Sequence, residues 1–307
     1  DVLVVTSDGT ELLRALDDDR VEVLRAGHPV PDRRSVVAAR RCLCRARACA
    51  MDGGLLLVLV SGGASALVCA PARGVRLEDE QAVTRVMLAS GASIQELNVI
   101  RKHLSRIKGG GLARAAVPAP VITLVVSDVV GGAIEDVGSG PSVGDRSTVR
   151  EARQLLRRYA PRFAALPLAP TGPAANVVRA RIIASPDELA RMVARLLRQR
   201  GLRVRRLEPS RDAVPDLARA YVDLVERMRP GSAIVRAAEP SVEVPLAHAR
   251  KGRGGRSTHL ATLVGMELPR GAMFLAAATD GVDGSSGTAG AVVDATLEER
   301  VSRSAIV

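Results

Sequence analysis

Aromatic residues are scarce in this sequence: it has no tryptophan, two tyrosines and two phenylalanines among 307 residues. Proteins that bind single-stranded nucleic acid stack the bases on aromatic side chains, so we expect no nucleic-acid partner despite a formal net charge of +11. The arginines are spread along helical segments instead of forming a tail, which indicates solvated basic helix faces. An acidic small-molecule substrate explains the remaining positive bias better than DNA does.

Long hydrophobic runs are also missing. The apolar segment LLLVLV at 55–60 is interrupted by SGG and is too short to span a bilayer. The first residues, DVLVVTSDG, predict a strand and a turn, with no basic leader before them. We therefore expect a cytoplasmic protein without a membrane partner. Because the chain opens directly on a strand, we also expect it to lack an N-terminal part.

The four cysteines do not form a paired metal-binding pattern. Cys42, Cys44 and Cys49 lie in a helical segment and Cys69 stands apart, without the C-x-x-C pairs of a zinc site. We expect reduced, structural thiols.

Lysine is rare, although the chain has 44 lysines and arginines in total. Lys102 and Lys108 both lie in the segment SGASIQELNVIRKHLSRIKGGGLA at 90–113, and Lys251 begins KGRGGR. A lysine ammonium is a compact point charge that arginine does not replace equally. Glycines beside fixed cations are typical of an anion site.

Short apolar runs alternate with amphipathic helical segments along the whole chain. This pattern predicts an α/β fold with two lobes, largely parallel helix-covered sheets and a Rossmann-like arrangement. We place the domains at 1–228 and 229–307, with the break between lobes somewhere from 170 to 231. Predicted strands cover 2–6, 21–25, 55–60, 121–127, 181–184, 202–207, 232–236 and 272–278. Predicted helices cover 33–50, 79–89, 94–107, 147–159, 187–200, 211–228 and 257–266.

The loops that follow strands deserve most weight, because ligands in such sheets bind beyond the carboxyl ends of the strands. Ser61-Gly62-Gly63 follows the strand at 55–60, and Ser65 comes two residues later. The glycines let backbone amides approach an anion, yet a tight turn without a ligand fits equally well. In GHPVPD at 27–32, we favour a structural role for His28 over a substrate contact.

The lysine-bearing segment predicts a helix at 94–107, with Leu97, Ile100, Leu104 and Ile107 on one apolar face. The opposite side carries Asn98, Arg101, Lys102 and Ser105, with Lys108 at its border. A basic face exposed to solvent is one interpretation. The pairing of two rare lysines with Asn98 favours a binding site. We expect His103 to be structural.

Two further segments place acidic or basic side chains at strand ends. Asp128 follows the strand at 121–127 and is suited to hold Mg²⁺, although capping a loop is an equal alternative. Arg256 follows a glycine turn in GRGGRSTH at 252–259 and offers a bidentate fork for a carboxylate or phosphate. Asp280 and Asp283 lie in TDGVDG, where a role in forming the turn fits equally well.

In sequence order these segments resemble the type II glycerate 2-kinase family, whose C-terminal part is the MOFRL domain and whose members often carry the label hydroxypyruvate reductase. The resemblance rests on GHPVPD, SGGASAL, the long segment at 90–113, SDVVGGAIEDVGSGPSVGD, and finally GRGGR with TDGVDGSSGTAGAVVD. It covers nearly the whole chain and is weakest from about 160 to 230.

The resemblance implies ATP-dependent, Mg²⁺-assisted phosphorylation of D-glycerate to 2-phosphoglycerate in a cleft between the lobes. It leaves a homodimer open. Carried over, the catalytic residues are Lys108, Arg256, Asp128 and Lys102. Substrate-binding residues are Asn98, Arg101, Glu96 and Asp280. Nucleotide-binding residues are Ser61, Gly62, Gly63, Ser65, Gly109 and Gly110. Asp128 and Asp280 are the metal candidates.

Several positions depart from the family pattern. Gly132 stands where the family has Asp, Ser257-Thr258-His259 replaces Asn-Gln-Glu, and Ala237-Ala238-Glu239-Pro240 replaces Gly-Gly-Glu-Thr. The family's G-x-G-K-A and T-G-P-T-x-T-N-x-x-D motifs would fall outside both ends, so we expect truncation at each. The alternative function is a relative that binds nucleotide or a hydroxy acid without turnover. A reductase ranks lower, since no strand is followed by G-x-G-x-x-G and a downstream acidic residue.

Overall fold

The structure is a computed structural model, and it describes residues 1–10, 18–242 and 254–297. The chain divides into two compact units, Asp1–Ser185 and Pro186–Val307. This division falls inside the interval of 170–231 expected from the sequence, and the finer domain boundary between residues 228 and 229 stays a prediction. Lys251 and the start of GRGGR lie outside the described residues.

The described part of the first unit contains five strands, all paired in parallel. A two-stranded sheet joins β1 and β2, and a three-stranded sheet has the order β3-β4-β5. The strands are β1 (Val2–Ser7), β2 (Val21–Ala26), β3 (Leu56–Val60), β4 (Val121–Val126) and β5 (Val177–Ala184). Parallel pairing places the carboxyl ends of neighbouring strands, and the loops that follow them, along one edge of each sheet.

Helices follow the second, third and fourth strands, and the sequence pattern predicted the four longer ones but not the short helices Ala64–Leu67 and Gly111–Ala115. The helices are α1 (Arg33–Met51), α2 (Ala64–Leu67), α3 (Leu77–Ala89), α4 (Ile94–His103), α5 (Gly111–Ala115) and α6 (Val149–Tyr159). The longest, α1, begins at a reciprocal cap in which Asp32 and Ser35 each accept the other's backbone N–H at 3.0 Å. Such a capping box satisfies amide groups that the first helical turn leaves without partners.

Helix α4 ends earlier than the predicted residue 107. The backbone beyond His103 pairs instead with the segment at 70–72: Ala72 donates to the Leu104 carbonyl at 2.7 Å, and Arg106 donates to the Ala70 carbonyl at 2.8 Å. Leu104 and Ile107 are still buried, as the apolar face requires. The predicted burial of the apolar face was therefore right, and the predicted helix end was wrong.

Among the described residues, two large hydrophobic clusters and a smaller one around Val60, Val125 and Val137 hold the first unit together. The two large clusters lie between different helices. One joins α1 to the start of β4 and to α5, and includes Ala39, Leu43, Ile107 and Val121. The other joins α3, α4 and α6. Its largest fully buried members are Met87, Leu97, Ile100, Leu104 and Leu156.

The second unit is also α/β. Its elements are α7 (Pro186–Gln199), β6 (Arg203–Arg206), α8 (Val214–Glu226), β7 (Ser232–Val235), α9 (Arg256–Met266), β8 (Met273–Ala277) and β9 (Gly290–Asp294). Strands β6 and β7 are parallel, whereas β8 and β9 form an antiparallel pair. The sequence pattern missed β9. The α/β class with mostly parallel sheets is confirmed.

Within the described residues, no helix is both long and apolar enough to cross a bilayer.

Candidate active site

Loops that follow β2, β3 and β4 meet around the glycines of the β3 loop. A Cβ atom on Gly62 would overlap the carboxylate of Asp128, and one on Gly63 would lie 2.8 Å from Nε2 of His28. Gly63 also has a φ of +81°, which favours glycine. His28 and Asp128 are both exposed. The structure thus brings an imidazole and a carboxylate beside the segment Ser61–Gly63, hereafter the SGG loop.

Two backbone N–H groups of the SGG loop have no acceptor among the described residues. The N–H groups of Gly62 and Gly63 donate no hydrogen bond to any residue that the structure describes. Ser61 is exposed, and its hydroxyl donates to the Gly62 carbonyl at 3.4 Å. Free amides at the end of a parallel strand are the groups that bind phosphate oxygens.

The second glycine-rich segment is arranged differently. The N–H groups of Gly109 and Gly110 donate to the carbonyls of Ser139 and Gly140 at 3.0 and 2.8 Å. Leu112 donates to the Pro141 carbonyl at 2.9 Å and extends this ladder. The nucleotide contacts expected of Gly109 and Gly110 stay a prediction, and contacts through their amides would require the ladder to open.

Both lysines of the long segment are buried in ion pairs. Lys108 Nζ lies 2.6 Å from Glu80 Oε1, and Lys102 Nζ lies 3.0 Å from Asp145 Oδ1. The Cys69 thiol donates to the other Glu80 oxygen at 3.2 Å, and burial raises the pKa of that thiol to about 12. The interpretation of a solvated basic face is therefore wrong, because residues distant in sequence cover it. The catalytic roles of the two lysines stay a prediction.

Asp145 is the centre of a polar network beside Lys102. Burial raises its pKa, but hydrogen bonds from the side chains of Ser147 and Lys102 outweigh this effect and hold the pKa at about 2. His103 connects to the same network through Ser147 Oγ at 3.2 Å, and its Nδ1 contacts the Ala169 carbonyl at 2.7 Å. Since His103 is fully buried, its expected structural role agrees with these contacts.

Two of the residues expected to bind substrate, Glu96 and Asn98, have hydrogen-bond partners in the fold. Glu96 accepts the backbone N–H of Ser93 at 2.9 Å and the Tyr159 hydroxyl at 3.0 Å. The bonds from Ser93 hold the pKa of Glu96 below its ordinary value. Burial lowers the pKa of Arg101, which is half-buried. Asn98 is buried and accepts the Ser139 hydroxyl at 3.2 Å. Their contacts with substrate stay predictions.

In the second unit, Arg256 is the first residue of α9 and its side chain is 54% exposed. Its Nη1 donates to the Pro240 carbonyl at 3.3 Å and lies 3.8 Å from Glu239 Oε1. The guanidinium therefore remains largely accessible to a ligand. Asp280 is exposed, and its carboxylate accepts the Val282 N–H at 3.2 Å, as in a turn.

Asp283, which sequence reasoning left among turn residues, occupies the N-terminus of α9. Its carboxylate accepts the N–H groups of Ser257 and Thr258 at 2.9 and 2.7 Å. Burial raises the pKa of Asp283, and these two bonds outweigh that effect and lower it. A Cβ on Gly255 would overlap the same carboxylate. The glycine before the helix was the sequence signal for this close approach.

No group of three or more histidine, cysteine, aspartate or glutamate side chains among the described residues is arranged to hold a metal ion. Of the two metal candidates, Asp128 belongs to the first unit and Asp280 to the second. Their roles as metal ligands stay predictions.

Comparison with known proteins gives the family. Residues 1–167 match a family described as a domain of unknown function, DUF4147, and residues 232–306 match the MOFRL family. A D-glycerate 2-kinase of Thermotoga maritima is 32% identical over 90% of this chain and 68% of its own length. An Agrobacterium vitis protein named as a hydroxypyruvate reductase is 35% identical over 95% of this chain and 78% of its own length.

A solved structure agrees with these matches. The crystal structure of a glycerate kinase from Thermotoga maritima superimposes with a TM-score of 0.83 at 30% identity, covering 96% of this chain and 73% of that one. The likeness spans both units of the fold, and the sequence matches cover the loops described above. The chain therefore belongs to the glycerate kinase family that carries a MOFRL domain.

Proposed function

We propose that this chain transfers the γ-phosphoryl group of ATP to the 2-hydroxyl of D-glycerate. Family membership supports this reaction class. The structural observation that carries the proposal is the SGG loop, whose two free amides lie beside the exposed carboxylate of Asp128. Phosphoryl transfer depends mainly on positioning and charge neutralisation, and this arrangement offers donors for phosphate next to an acidic group.

The donor set suits Mg²⁺. Magnesium commonly binds proteins through one or two carboxylates and completes its coordination with water and substrate phosphates. Asp128, exposed beside the SGG loop, is the residue in the first unit that would hold it, and Asp280 is the candidate in the second. Bound Mg²⁺ supplies neutralisation of the phosphate charge that develops during transfer.

The protein's own groups have separable tasks. The amides of Gly62 and Gly63 bind phosphate oxygens, and Asp128 accepts the proton of the attacking hydroxyl or orients the metal. Arg256 presents a planar fork that pairs with the glycerate carboxylate or the transferred group. Each task matches the exposure of the residue: Asp128 and Arg256 are open to solvent. A cytoplasmic location suits an ATP-dependent enzyme of this kind.

The test is ADP release measured by a coupled assay with ATP, Mg²⁺ and D-glycerate, with phosphorus NMR to distinguish the 2-phosphate from the 3-phosphate. Asp128→Asn is the matched variant, because it keeps the side-chain shape and removes the charge. We expect 2-phosphoglycerate from the unmodified chain and a large loss in the variant. No glycerate-dependent ADP release from the unmodified chain would contradict the proposal.

One observation favours binding without turnover as a second function. Arg256 contacts the carbonyl of Pro240 and lies near Glu239, and both belong to the segment Ala237–Pro240 that departs from the family pattern. Calorimetry with ATP–Mg²⁺ and with D-glycerate separates the two functions: heat of binding without ADP release supports this second one. NADH oxidation with hydroxypyruvate would instead support the reductase name.

A further inference from the structure

Ser139 has an unusual backbone conformation. Its φ is +58°, and it is the one non-glycine residue with positive φ in the described part of the chain. Its neighbours Gly138 and Gly140 have φ values of +61° and +58°. Glycine adopts this left-handed region freely, whereas a side chain makes it unfavourable. Ser139 therefore adopts this conformation, in the middle of a glycine turn, against the backbone preference of serine.

The Ser139 side chain forms two hydrogen bonds, one buried and one part-buried. Its hydroxyl donates to Asn98 Oδ1 at 3.2 Å and lies 3.1 Å from the hydroxyl of Ser65. Ser139 is 1% exposed and Asn98 is 5% exposed. A hydroxyl has one hydrogen to donate, so Ser65 must be the donor in the second bond. The result is a directed chain of hydrogen bonds from Ser65 through Ser139 to Asn98.

This chain of bonds connects the SGG loop to α4. Ser65 lies two residues beyond the SGG loop, in α2, and Asn98 lies in α4. Because the hydrogen of the Ser65 hydroxyl is directed at Ser139, the side chain of Ser65 is oriented inward. Ser65 would therefore influence phosphate binding by fixing the position of the SGG loop, and not by direct contact of its hydroxyl hydrogen with phosphate.

Apolar packing and a backbone hydrogen bond also hold the turn at 137–140 against the end of β3 and the glycine segment after α4. A Cβ on Gly138 would lie 3.0 Å from the Cβ of Ala64 and 3.2 Å from Cγ1 of Val60. Val137 packs in one cluster with Val60. The Ser139 carbonyl accepts the N–H of Gly109. Ser139 thus joins the end of β3, the turn at 137–140 and the glycine segment after α4.

We propose that Ser139 is a positioning residue that holds the SGG loop in the conformation whose free amides bind the phosphates of ATP. This inference rests on the proposed function and adds a residue to it. The hydroxyl of Ser139 acts through Ser65 and does not contact the reacting groups. This positioning role explains why a serine occupies a position where the backbone of glycine would be less strained.

The decisive variant is Ser139→Gly, because glycine relieves the left-handed backbone while it removes the hydroxyl. If Ser139 had only a structural role, Ser139→Gly would have wild-type kinetics and would be at least as stable as the unmodified protein. Our inference predicts an unchanged or higher melting temperature together with a rise of about fivefold or more in KM for ATP, as expected for the loss of one or two hydrogen bonds. Wild-type KM and kcat would overturn the proposal.

Two companion variants sharpen this test. Ser65→Ala should reproduce the kinetic defect of Ser139→Gly, and the double variant should be no worse than either single change, since both break the same bond. Additive defects would contradict the proposed chain of hydrogen bonds from Ser65 through Ser139 to Asn98. Ser142→Ala is the matched control: Ser142 is a buried serine that accepts the Thr123 hydroxyl at 2.9 Å in the following loop segment. It should lower stability and leave KM for ATP unchanged.

Amide hydrogen exchange gives a readout that does not need catalysis. In Ser139→Gly we expect exchange at residues 61–66 to accelerate by about fivefold or more, the same factor that the lost hydrogen bonds predict. Ser142→Ala should not produce this local change. If the unmodified chain released no ADP, the proposed kinase function would fail. The role of Ser139 would then be tested by hydrogen exchange, and unchanged exchange at 61–66 in Ser139→Gly would overturn it.

Discussion

The ammonium of Lys108 lies 2.6 Å from a carboxylate oxygen of Glu80, and each of these side chains is only 3% exposed. Removing one member of a buried pair leaves the other charge without compensation, which costs about 3–5 kcal/mol. The pair joins α3 to the residue just before the glycine segment at 109–111. It therefore fixes the position of that segment whatever part Lys108 plays in catalysis.

We expect Glu80→Gln and Lys108→Met each to lower the free energy of unfolding by about 3–5 kcal/mol. The double variant should lose less than the sum, because the second change removes the uncompensated charge. Urea unfolding of the four proteins measures this coupling. Additive losses would show that the two side chains do not stabilise each other.

Asp145 should make stability depend on pH in the acid range. Its folded pKa of about 2 lies below that of an ordinary aspartate. The stabilisation is therefore present above about pH 4 and is lost as the pH falls towards 2, where the unfolded chain binds the proton first. Asp145→Asn should reduce the slope of unfolding free energy against pH between these values, measured by urea unfolding at each pH. An unaltered slope would exclude this contribution.

The two glycines of the SGG loop should respond differently to alanine. In Gly62→Ala the new methyl group displaces the exposed Asp128 carboxylate, which can rotate away, so activity should fall with little loss of stability. Gly63→Ala forces a side chain into φ +81° and should cost about 1–2 kcal/mol. Urea unfolding beside ADP release checks both. Equal losses of stability in the two variants would contradict this distinction.

Arg256 and Asp283 offer a contrast between catalysis and folding at one helix end. Arg256→Ala removes an exposed guanidinium and should lower turnover by about 10²–10³-fold without changing the melting temperature. Arg256→Lys should restore little, because lysine lacks the bidentate fork. Wild-type turnover in Arg256→Ala would remove this residue from the site.

Asp283→Ala removes the helix cap and should cost about 0.5–2 kcal/mol of unfolding free energy. Thermal unfolding monitored by circular dichroism measures this loss. Asp280→Ala is the matched control, since it lies in the same loop and accepts an exposed backbone N–H. Equal melting temperatures for the two variants would show that the cap at Asp283 contributes nothing.

Sequence periodicity was sufficient for the fold class and for most elements. Alternating apolar runs located eight of the strands, and Leu97 and Ile100 correctly marked the buried face of α4. Strand β9 escaped because its short sequence, GAVVD, follows a long glycine-rich turn and pairs antiparallel with β8. Local pattern carries no information about such a partner.

The candidate site was only partly accessible from sequence. The SGG loop and Asp128 were identified because each follows a strand, and their proximity follows from parallel pairing. The burial of Lys102 and Lys108 was not foreseen, since their partners Asp145 and Glu80 are 43 and 28 residues away in the chain. Periodicity shows which side of a helix is apolar, but it does not show whether distant segments cover the other side.

The Asp283 cap also bears on the choice of buffer for every experiment described above. The Asp283 carboxylate already neutralises the positive N-terminus of α9. Dissolved sulfate or phosphate should therefore bind only weakly there. The N–H groups of Gly62 and Gly63 donate to no carboxylate of the described residues, although Asp128 lies nearby, and they would bind these ions. Kinetic and calorimetric measurements should therefore use buffers without multivalent oxyanions, and inhibition by added sulfate that competes with ATP would report on occupancy of the loop.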